Sequence, residues 1–272
     1  MILAALGCPS GMAFAQLTIA SNVEPQRIFF GPAKNTSVII HNADGQSFAG
    51  EIRTRIFQTS SATAVQLSEI PWKQLHVWPH QTVVESVQRD FPAVKAETKF
   101  LVEWIEGTNR VLGSTEVWVY PTNLLAELKT LVGEENFGVL DPNNELKPLL
   151  KQNHVEFSDL GETAPEDFQG KLAIIGPFST KAQMREGLAQ TIQKIAQKGV
   201  AVVWMQPPPG PKDAIKPSFY IVPEGKGSIV VVQADLVANP AGSPQSQLNL
   251  VYFCKLALNP APLSLPDLKT QP

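Results

Sequence analysis

The hydrophobic pattern of this 272-residue sequence changes at Pro121, and the change predicts two domains. Residues 16–121 form short runs of alternating apolar and polar side chains, which is the pattern of strands with one buried face. From residue 136 to residue 260, fully apolar runs alternate with stripes of helical period. Fully apolar runs are typical of parallel strands that are covered on both faces. We therefore expect an all-β domain followed by an α/β domain.

Seven alternating runs predict the strands of the first domain, residues 16–121. Turn residues separate these runs, and Asn42–Gly45 has the composition of a hairpin turn. About seven strands in roughly 100 residues are typical of an immunoglobulin-like β-sandwich, although the cysteine pair of antibody domains is absent. The predicted strands are Gln26–Phe30, Thr36–His41, Phe48–Gln58, Gln74–Val77, Thr82–Phe91, Lys99–Glu106 and Ser114–Tyr120.

The second domain, residues 136–260, is predicted to be a doubly wound, mostly parallel sheet of the flavodoxin-like class. A linker helix is predicted over residues 122–135 and a flexible tail over residues 261–272. The predicted strands are Phe137–Asp141, Val155–Phe157, Lys171–Ile175, Ala201–Met205, Phe219–Val222 and Ser228–Gln233, and the predicted helices are Asn143–Gln152, Thr180–Lys198 and Gln245–Leu258.

Ligands of doubly wound sheets bind beside the carboxyl ends of the strands. Three polar residues near those ends are therefore candidates for a site: Asp141, Ser179 and Asp235. Ser179 precedes a predicted helix, where an anion would be stabilised, but no histidine lies nearby in sequence to activate its hydroxyl. A helix cap explains Ser179 better. A hydrolase with an unrecognised site at these strand ends is the alternative.

Five fragments of the second domain carry a resemblance to a known family: Gly138–Asp141, Leu172–Gly176, Lys198–Gly199, Val202–Trp204 and Ser243–Leu248. Their order resembles the class I glutamine amidotransferase-like fold, and more narrowly the degenerate version that is appended to large bacterial glycoside hydrolases such as β-galactosidases. Active members of that family place a Cys nucleophile on a G-x-C-x-G elbow, with a downstream His and Glu. This sequence has no cysteine at Gly176–Ser179 or Met205–Pro207 and no histidine after His154. The resemblance therefore implies a noncatalytic module.

Aromatic side chains are the candidates for ligand contacts in the first domain. Trp118 and Tyr120 share one face of a predicted strand, and Trp72 and Trp78 are each flanked by a proline. Exposed aromatic residues with polar neighbours stack on sugars or dock another domain. Ordinary packing inside the protein is the alternative explanation for all four residues.

No metal or cofactor site is predicted. His76 and His80 lie four residues apart in a strand-like run, but no third ligand has supporting spacing. Gly225–Gly227 lacks the spacing of a phosphate-binding loop and is typical of a hairpin turn. Cys254 lies in an apolar helical run, where a lone cysteine is most often a buried, unreactive side chain.

The first fifteen residues predict export. They contain no charged side chain and end in Ala13–Ala15, the small-x-small pattern that precedes a signal-peptidase cleavage site. A lipoprotein anchored through Cys8 is the less favoured alternative, because too few apolar residues precede this cysteine. No later run approaches the roughly 20 apolar residues that span a bilayer. We expect an exported protein, periplasmic or extracellular, with no transmembrane segment.

The formal net charge of −3 argues against nucleic acid as a partner, because no excess of positive charge is present to neutralise phosphates. Together with the resemblance, the sequence predicts an exported noncatalytic accessory protein that has no cofactor and whose partner is a polysaccharide or a protein. Carbohydrate recognition is the leading hypothesis. The hydrolase named above and an envelope scaffold that binds protein are the alternatives.

Overall fold

The structure is a computed structural model that describes residues 17–20, 25–162, 164–207, 219–234, 236–237 and 239–260. The chain is mostly β, with several sheets, and it divides into two compact units between Pro121 and Thr122. The predicted signal peptide (residues 1–15), the predicted flexible tail (residues 261–272) and the candidate Asp235 lie outside the described residues.

The described residues of the first unit form eight strands in two sheets. β1 and β6 flank β3 in a three-stranded antiparallel sheet, and a five-stranded sheet has the order β2-β8-β7-β4-β5, in which only β2 is parallel to its neighbour. The bounds are β1 Leu17–Ala20, β2 Gln26–Phe29, β3 Gly31–Asn42, β4 Phe48–Thr59, β5 Ala64–Val77, β6 Thr82–Phe91, β7 Thr98–Glu106 and β8 Arg110–Tyr120.

The two sheets of the first unit share one apolar core. Alternate residues of the smaller sheet, such as Val38 and Ile40, are fully buried and belong to the same cluster as Ile52, Phe100 and Trp104 of the larger sheet. This arrangement follows from the alternation in the sequence, since successive side chains of a strand point to opposite faces. The inner faces of the two sheets therefore cover each other.

Within the part of the second unit that the structure describes, six strands form a sheet with the order β10-β9-β11-β12-β14-β13. All of its neighbours pair in parallel except the edge strand β13, which runs antiparallel to β14. The strands are β9 Phe137–Leu140, β10 Ser158–Asp159, β11 Leu172–Ile175, β12 Ala201–Met205, β13 Phe219–Glu224 and β14 Gly227–Val232, and the helices are α1 Glu127–Val132, α2 Lys147–Gln152, α3 Leu188–Gln197 and α4 Pro244–Leu258.

Helices cover both faces of this sheet. Leu172 and Ile174 of β11 belong to a core that they share with α1, α2 and α4, whereas Ala173 and Ile175 belong to a second core that they share with α3. The apolar runs predicted as two-sided strands are therefore buried on both sides. The segment predicted as a linker helix, residues 122–135, contributes Leu125, Leu128 and Val132 to the first of these cores, and so it is part of the second unit.

Several predicted elements of the second unit differ from the structure, and one of them is the predicted helix Asn143–Gln152, which begins only at Lys147. The predicted helix Thr180–Lys198 begins only at Leu188, because Gly187 has a left-handed backbone with φ of 80°. A short 3-10 turn at Lys181–Gln183 replaces its first part. The predicted strand Val155–Phe157 is not a strand, and the chain pairs with β9 only at β10.

In the first unit, β5 begins at Ala64, whereas the predicted strand begins at Gln74. The additional residues include Pro71, which argues against a strand in the sequence but is tolerated at the edge of a sheet. The edge position of β5 therefore explains the difference.

None of the helices in the described ranges combines the length and the apolar character that crossing a lipid bilayer requires.

A single substitution tests the close approach of the β13–β14 hairpin to the end of α3. A Cβ atom on Gly227 would lie 2.4 Å from the backbone oxygen of Val200 and 2.5 Å from that of Ala196. We expect Gly227→Ala to lower the free energy of unfolding by about 1–3 kcal/mol, because backbone cannot move aside as a side chain can. Gly45→Ala is the matched control, since its Cβ would meet nothing within 4 Å. Equal urea midpoints for the two variants would contradict this packing.

Candidate functional site

The strand order of the second unit creates a crevice between β9 and β11. From β9 the chain passes to β10 on one side, and it then returns to β11 on the other side of β9. The connections that follow β9 and β11 therefore lead away from each other. Open α/β sheets bind ligands at such a switch point. The candidate Asp141 follows β9 directly, and the candidate Ser179 lies in the loop that follows β11.

The carboxylate of Asp141 is held rigidly at this crevice. Asp141 is only 3% exposed, and its Oδ2 accepts hydrogen bonds from the backbone N–H groups of Leu146 (2.8 Å) and Lys147 (3.0 Å), where α2 begins. Its Oδ1 is also buried but has no hydrogen-bond partner among the described residues. Buried polar atoms are normally paired, so an unpaired carboxylate oxygen is a candidate contact for a ligand.

Beside Asp141 the crevice widens into a cavity of about 300 Å³. Its polar lining includes the cationic side chains of Lys147 and Arg185 and the amide of Gln183. Phe178 and Leu188 contribute apolar surface. Asp141, Asp159 and Glu162 also line it, so the cavity offers hydrogen-bond donors, carboxylate acceptors and an apolar wall within one small volume.

Lys147 and Asp159 form an ion pair at the edge of the cavity, with Nζ 2.5 Å from Oδ2. Burial acts to raise the pKa of Asp159. Hydrogen bonds from Lys147 and from the backbone N–H of Gly161, with the positive charges of Lys147 and Lys151, outweigh that effect and hold the pKa below its ordinary value. Asp159 is therefore a carboxylate at neutral pH, and Lys147 is oriented by it.

Ser179 belongs to a closed network of polar side chains. The amide nitrogen of Asn143 donates to its Oγ (3.0 Å), and the backbone N–H of Ser179 donates to Oε1 of Gln183 (2.6 Å). Gln183 in turn donates to Oδ1 of Asn143 (3.0 Å). None of these bonds involves an imidazole. The network fixes the loop after β11 and gives Ser179 no general base.

Asn143 and Gln183 are site residues that the sequence analysis missed. A signal for Gln183 is present, since Thr180 and Gln183 have the spacing of a capping box, and the backbone N–H of Thr180 donates to Oε1 of Gln183. Asn143 has no comparable signal, because its partners lie 34 to 40 residues away in the sequence.

The described residues contain no group of three or more His, Cys, Asp or Glu side chains that could hold a metal ion. Cys254 is fully buried in the core of the second unit, and burial raises the pKa of its thiol. A thiol in such surroundings stays protonated and unreactive.

The aromatic candidates of the first unit do not form one surface. Trp72 packs edge-on against the buried Trp104, with ring centroids 5.0 Å apart, on the inner face of the five-stranded sheet. Trp118 lies on the outer face, since its neighbours Val117 and Val119 point into the core. Trp78 follows β5 and is 61% exposed. It is the one candidate whose ring is largely open to solvent.

Tyr120 is only 2% exposed, so its ring is not accessible for stacking on a sugar. Burial, followed by the hydrogen bond and negative charge of Glu97, raises its pKa to about 12, against the opposing effect of Arg27. Trp118 and Tyr120 therefore do not form the expected exposed platform. The sequence pattern shows which residues share a face of a strand, but it does not show whether that face is covered.

Comparisons with known proteins give no family for this chain. No protein-family model and no curated protein matches the sequence. Among solved structures, an alkylpurine DNA glycosylase from Pseudomonas fluorescens aligns with a TM-score of 0.29 and 18% identity over 39% of this chain and 31% of the glycosylase. A β-glucosidase from Listeria innocua aligns with a TM-score of 0.29 and 10% identity, over 39% of this chain and 16% of the glucosidase. A CARDB domain from Pyrococcus furiosus aligns with a TM-score of 0.27 and 11% identity, over 40% of this chain and 90% of that domain.

The Lys147–Asp159 pair makes the stability of the protein depend on pH. Because the folded pKa of Asp159 is depressed, the pair stabilises the fold above the unfolded pKa of about 3.9 and is lost as the pH falls through the lower folded value. We expect Asp159→Asn to cost up to about 1 kcal/mol at pH 7 and much less near pH 3. Chemical denaturation at both pH values measures this difference, and a cost that is the same at both would contradict the assignment.

The ionisation of Tyr120 at alkaline pH gives a second prediction. The difference between the ultraviolet titration curves of the wild-type protein and Tyr120→Phe isolates the ionisation of this phenol. We expect the difference to have its midpoint near pH 12, because burial and Glu97 disfavour the phenolate. A midpoint close to pH 10, the value of an exposed tyrosine, would show that the ring is accessible after all.

Proposed function

We propose that this chain is an exported, noncatalytic accessory protein that binds carbohydrate in the crevice between β9 and β11. In this proposal the first unit is an immunoglobulin-like β-sandwich and the second is a degenerate glutamine amidotransferase-like domain. The two sheets that share one core support the first assignment. The order β10-β9-β11-β12-β14 is that of a flavodoxin-like sheet with an added antiparallel edge strand, which is the broad sheet class that the second assignment requires.

The observation that carries the proposal is the unpaired Oδ1 of Asp141. A carboxylate oxygen can only accept hydrogen bonds, so a ligand that satisfies it must bring a donor. Hydroxyl groups are suitable donors, and sugars present several of them on adjacent carbons. A metal ion is a weaker candidate, since the described residues contain no set of three ligands for one. A neutral, hydroxylated ligand is thus favoured.

The rest of the cavity complements a sugar ring. Gln183 and Arg185 can donate to hydroxyl and ring oxygens, while Phe178 and Leu188 offer apolar surface to the C–H groups of a sugar face. The volume of about 300 Å³ lies at the lower end for small-molecule sites, which suits one monosaccharide unit or the end of a polysaccharide.

The same contacts favour binding over catalysis. Both backbone hydrogen bonds to Asp141 fix the position of its carboxyl group. Ser179 has its hydroxyl bound by Asn143 and no histidine in its network. These residues hold the crevice in shape, which is the role expected in a module that has lost a nucleophile and its base.

Asp141→Asn tests this function sharply because it changes one atom. The asparagine oxygen can still accept from Leu146 and Lys147, whereas its NH₂ group turns the unpaired acceptor into a donor. We expect the wild-type protein to be retarded in native gels that contain a matching polysaccharide. Retardation should weaken by about tenfold or more in the variant, because hydrogen bonds to charged groups contribute about 1.5–3 kcal/mol.

Glu186→Gln is the matched control, because it removes a carboxylate from the same unit at an exposed position outside the cavity lining. Retardation that survives in Asp141→Asn but disappears in Trp78→Ala would move the sugar site to the first unit. Uniform mobility across all polysaccharides would contradict carbohydrate binding and favour the protein-binding scaffold. Turnover of ester, glycoside or amide substrates that Asp141→Asn abolishes would favour the hydrolase.

A further inference from the structure

A second cavity lies within the first unit and is independent of the proposed sugar site. It is a groove of about 910 Å³ along the open side where the two sheets end in edge strands. Leu67, Ser68 and Ile70 of β5 line one wall, and residues 88–91 of β6 line the other. Both strands have a hydrogen-bonded neighbour on only one side among the described residues.

The rim of this groove exposes apolar side chains that a folded protein usually covers. Leu67 and Ile70 of β5 line the groove and are 43% and 39% exposed, and Val65 of the same strand, outside the lining, is 57% exposed. An edge strand with unpaired backbone groups and exposed apolar side chains is a template for pairing with another strand. Ile56 and Phe91 extend the apolar surface into the floor of the groove.

Arg89 is the cationic residue that lines the groove, next to the acidic Asp90. Arg89 is only 7% exposed, and its guanidinium reaches across the core to the other sheet, where Nε donates to Oγ1 of Thr54 (3.0 Å). Nη1 donates to the backbone oxygen of Gln88 (2.7 Å), but the buried Nη2 has no hydrogen-bond partner among the described residues. Burial lowers the pKa of Arg89, and the nearby charge of Asp90 opposes this effect only in part.

An unpaired buried guanidinium is costly, and the fork geometry of its donors matches a carboxylate. Asp90 does not fill this role, because its Oδ1 instead accepts the backbone N–H of Ala33 (2.7 Å). A carboxylate that arrives with a ligand would supply a partner for Nη2. The apolar walls and the free strand edge require the rest of that ligand to be apolar and extended.

We propose that the groove binds an extended, apolar protein segment that adds as a strand to β5 and places a terminal carboxylate on Arg89. The edge strand supplies backbone hydrogen bonds, the exposed side chains of β5 supply apolar contacts, and Arg89 sets the position of the segment's end. Strand addition and the capture of a chain terminus are both known modes of peptide recognition.

Fluorescence anisotropy of the full chain with labelled peptides tests this proposal. The probe is an N-terminally labelled eight-residue peptide of alternating valine and threonine with a free carboxyl terminus. We expect it to bind, and its carboxyl-terminal amide to bind at least about tenfold more weakly, because the amide leaves the buried guanidinium unpaired. A peptide whose backbone is N-methylated at alternate positions should not bind, since it cannot pair with the strand edge.

Arg89→Met provides the protein-side test, and it should bind the free acid no better than the amide. Lys99→Met is the control, since Lys99 forms its ion pair with Glu116 on a different part of the unit and should leave binding unchanged. The amide comparison on the wild-type protein decides the question even where Arg89→Met does not fold. Equal affinity for acid and amide, or no binding of either, would overturn the proposal.

Light scattering tests whether the partner is a second copy of this chain. A dimer that the Ile70→Lys substitution dissociates would show that it is, and it would also overturn the proposal.

Discussion

The second unit depends on one constraint, which is that the central strands of its sheet are apolar on both faces. β11 is buried along its whole length, so helices must lie on both sides of the sheet. Parallel strands that are joined through such helices all place their carboxyl ends at the same edge. The reversal of strand order around β9 then opens a crevice at that edge. The position of Asp141 thus follows from the burial of β9 and β11, the two strands whose ends border the crevice.

Asp141 has two roles that are separated between its two oxygens. One oxygen accepts two backbone N–H groups at the start of α2, and these bonds fix the orientation of the carboxylate. The other oxygen is buried beside the cavity without a partner. A flexible carboxylate would lose conformational entropy when it binds a ligand, whereas this one is already ordered by the fold. The structural role of Asp141 thus prepares the binding role that we propose for it.

Much of the fold follows from the sequence, because strand alternation and apolar runs reflect burial at each position. The residues of the site can be predicted from the sequence only in part. The apolar runs show where the strands end, and Asp141 and Ser179 are candidates because they lie near two of these ends. Arg89 has no such signal, since its partner Thr54 lies 35 residues earlier in another sheet. Tyr120 shows the opposite limit: the sequence predicts its strand position correctly, but it does not show that the side chain is only 2% exposed.

The most direct test of a sugar site at the crevice is an NMR titration of the ¹⁵N-labelled chain with glucose, galactose and N-acetylglucosamine. A ligand hydroxyl on Oδ1 of Asp141 would change the charge distribution of the carboxylate that Leu146 and Lys147 contact through Oδ2. The account predicts that a bound sugar shifts the amide signals of Leu146 and Lys147 the most. Shifts confined to residues around Trp78, or no saturable shifts with any of the three sugars, would contradict it.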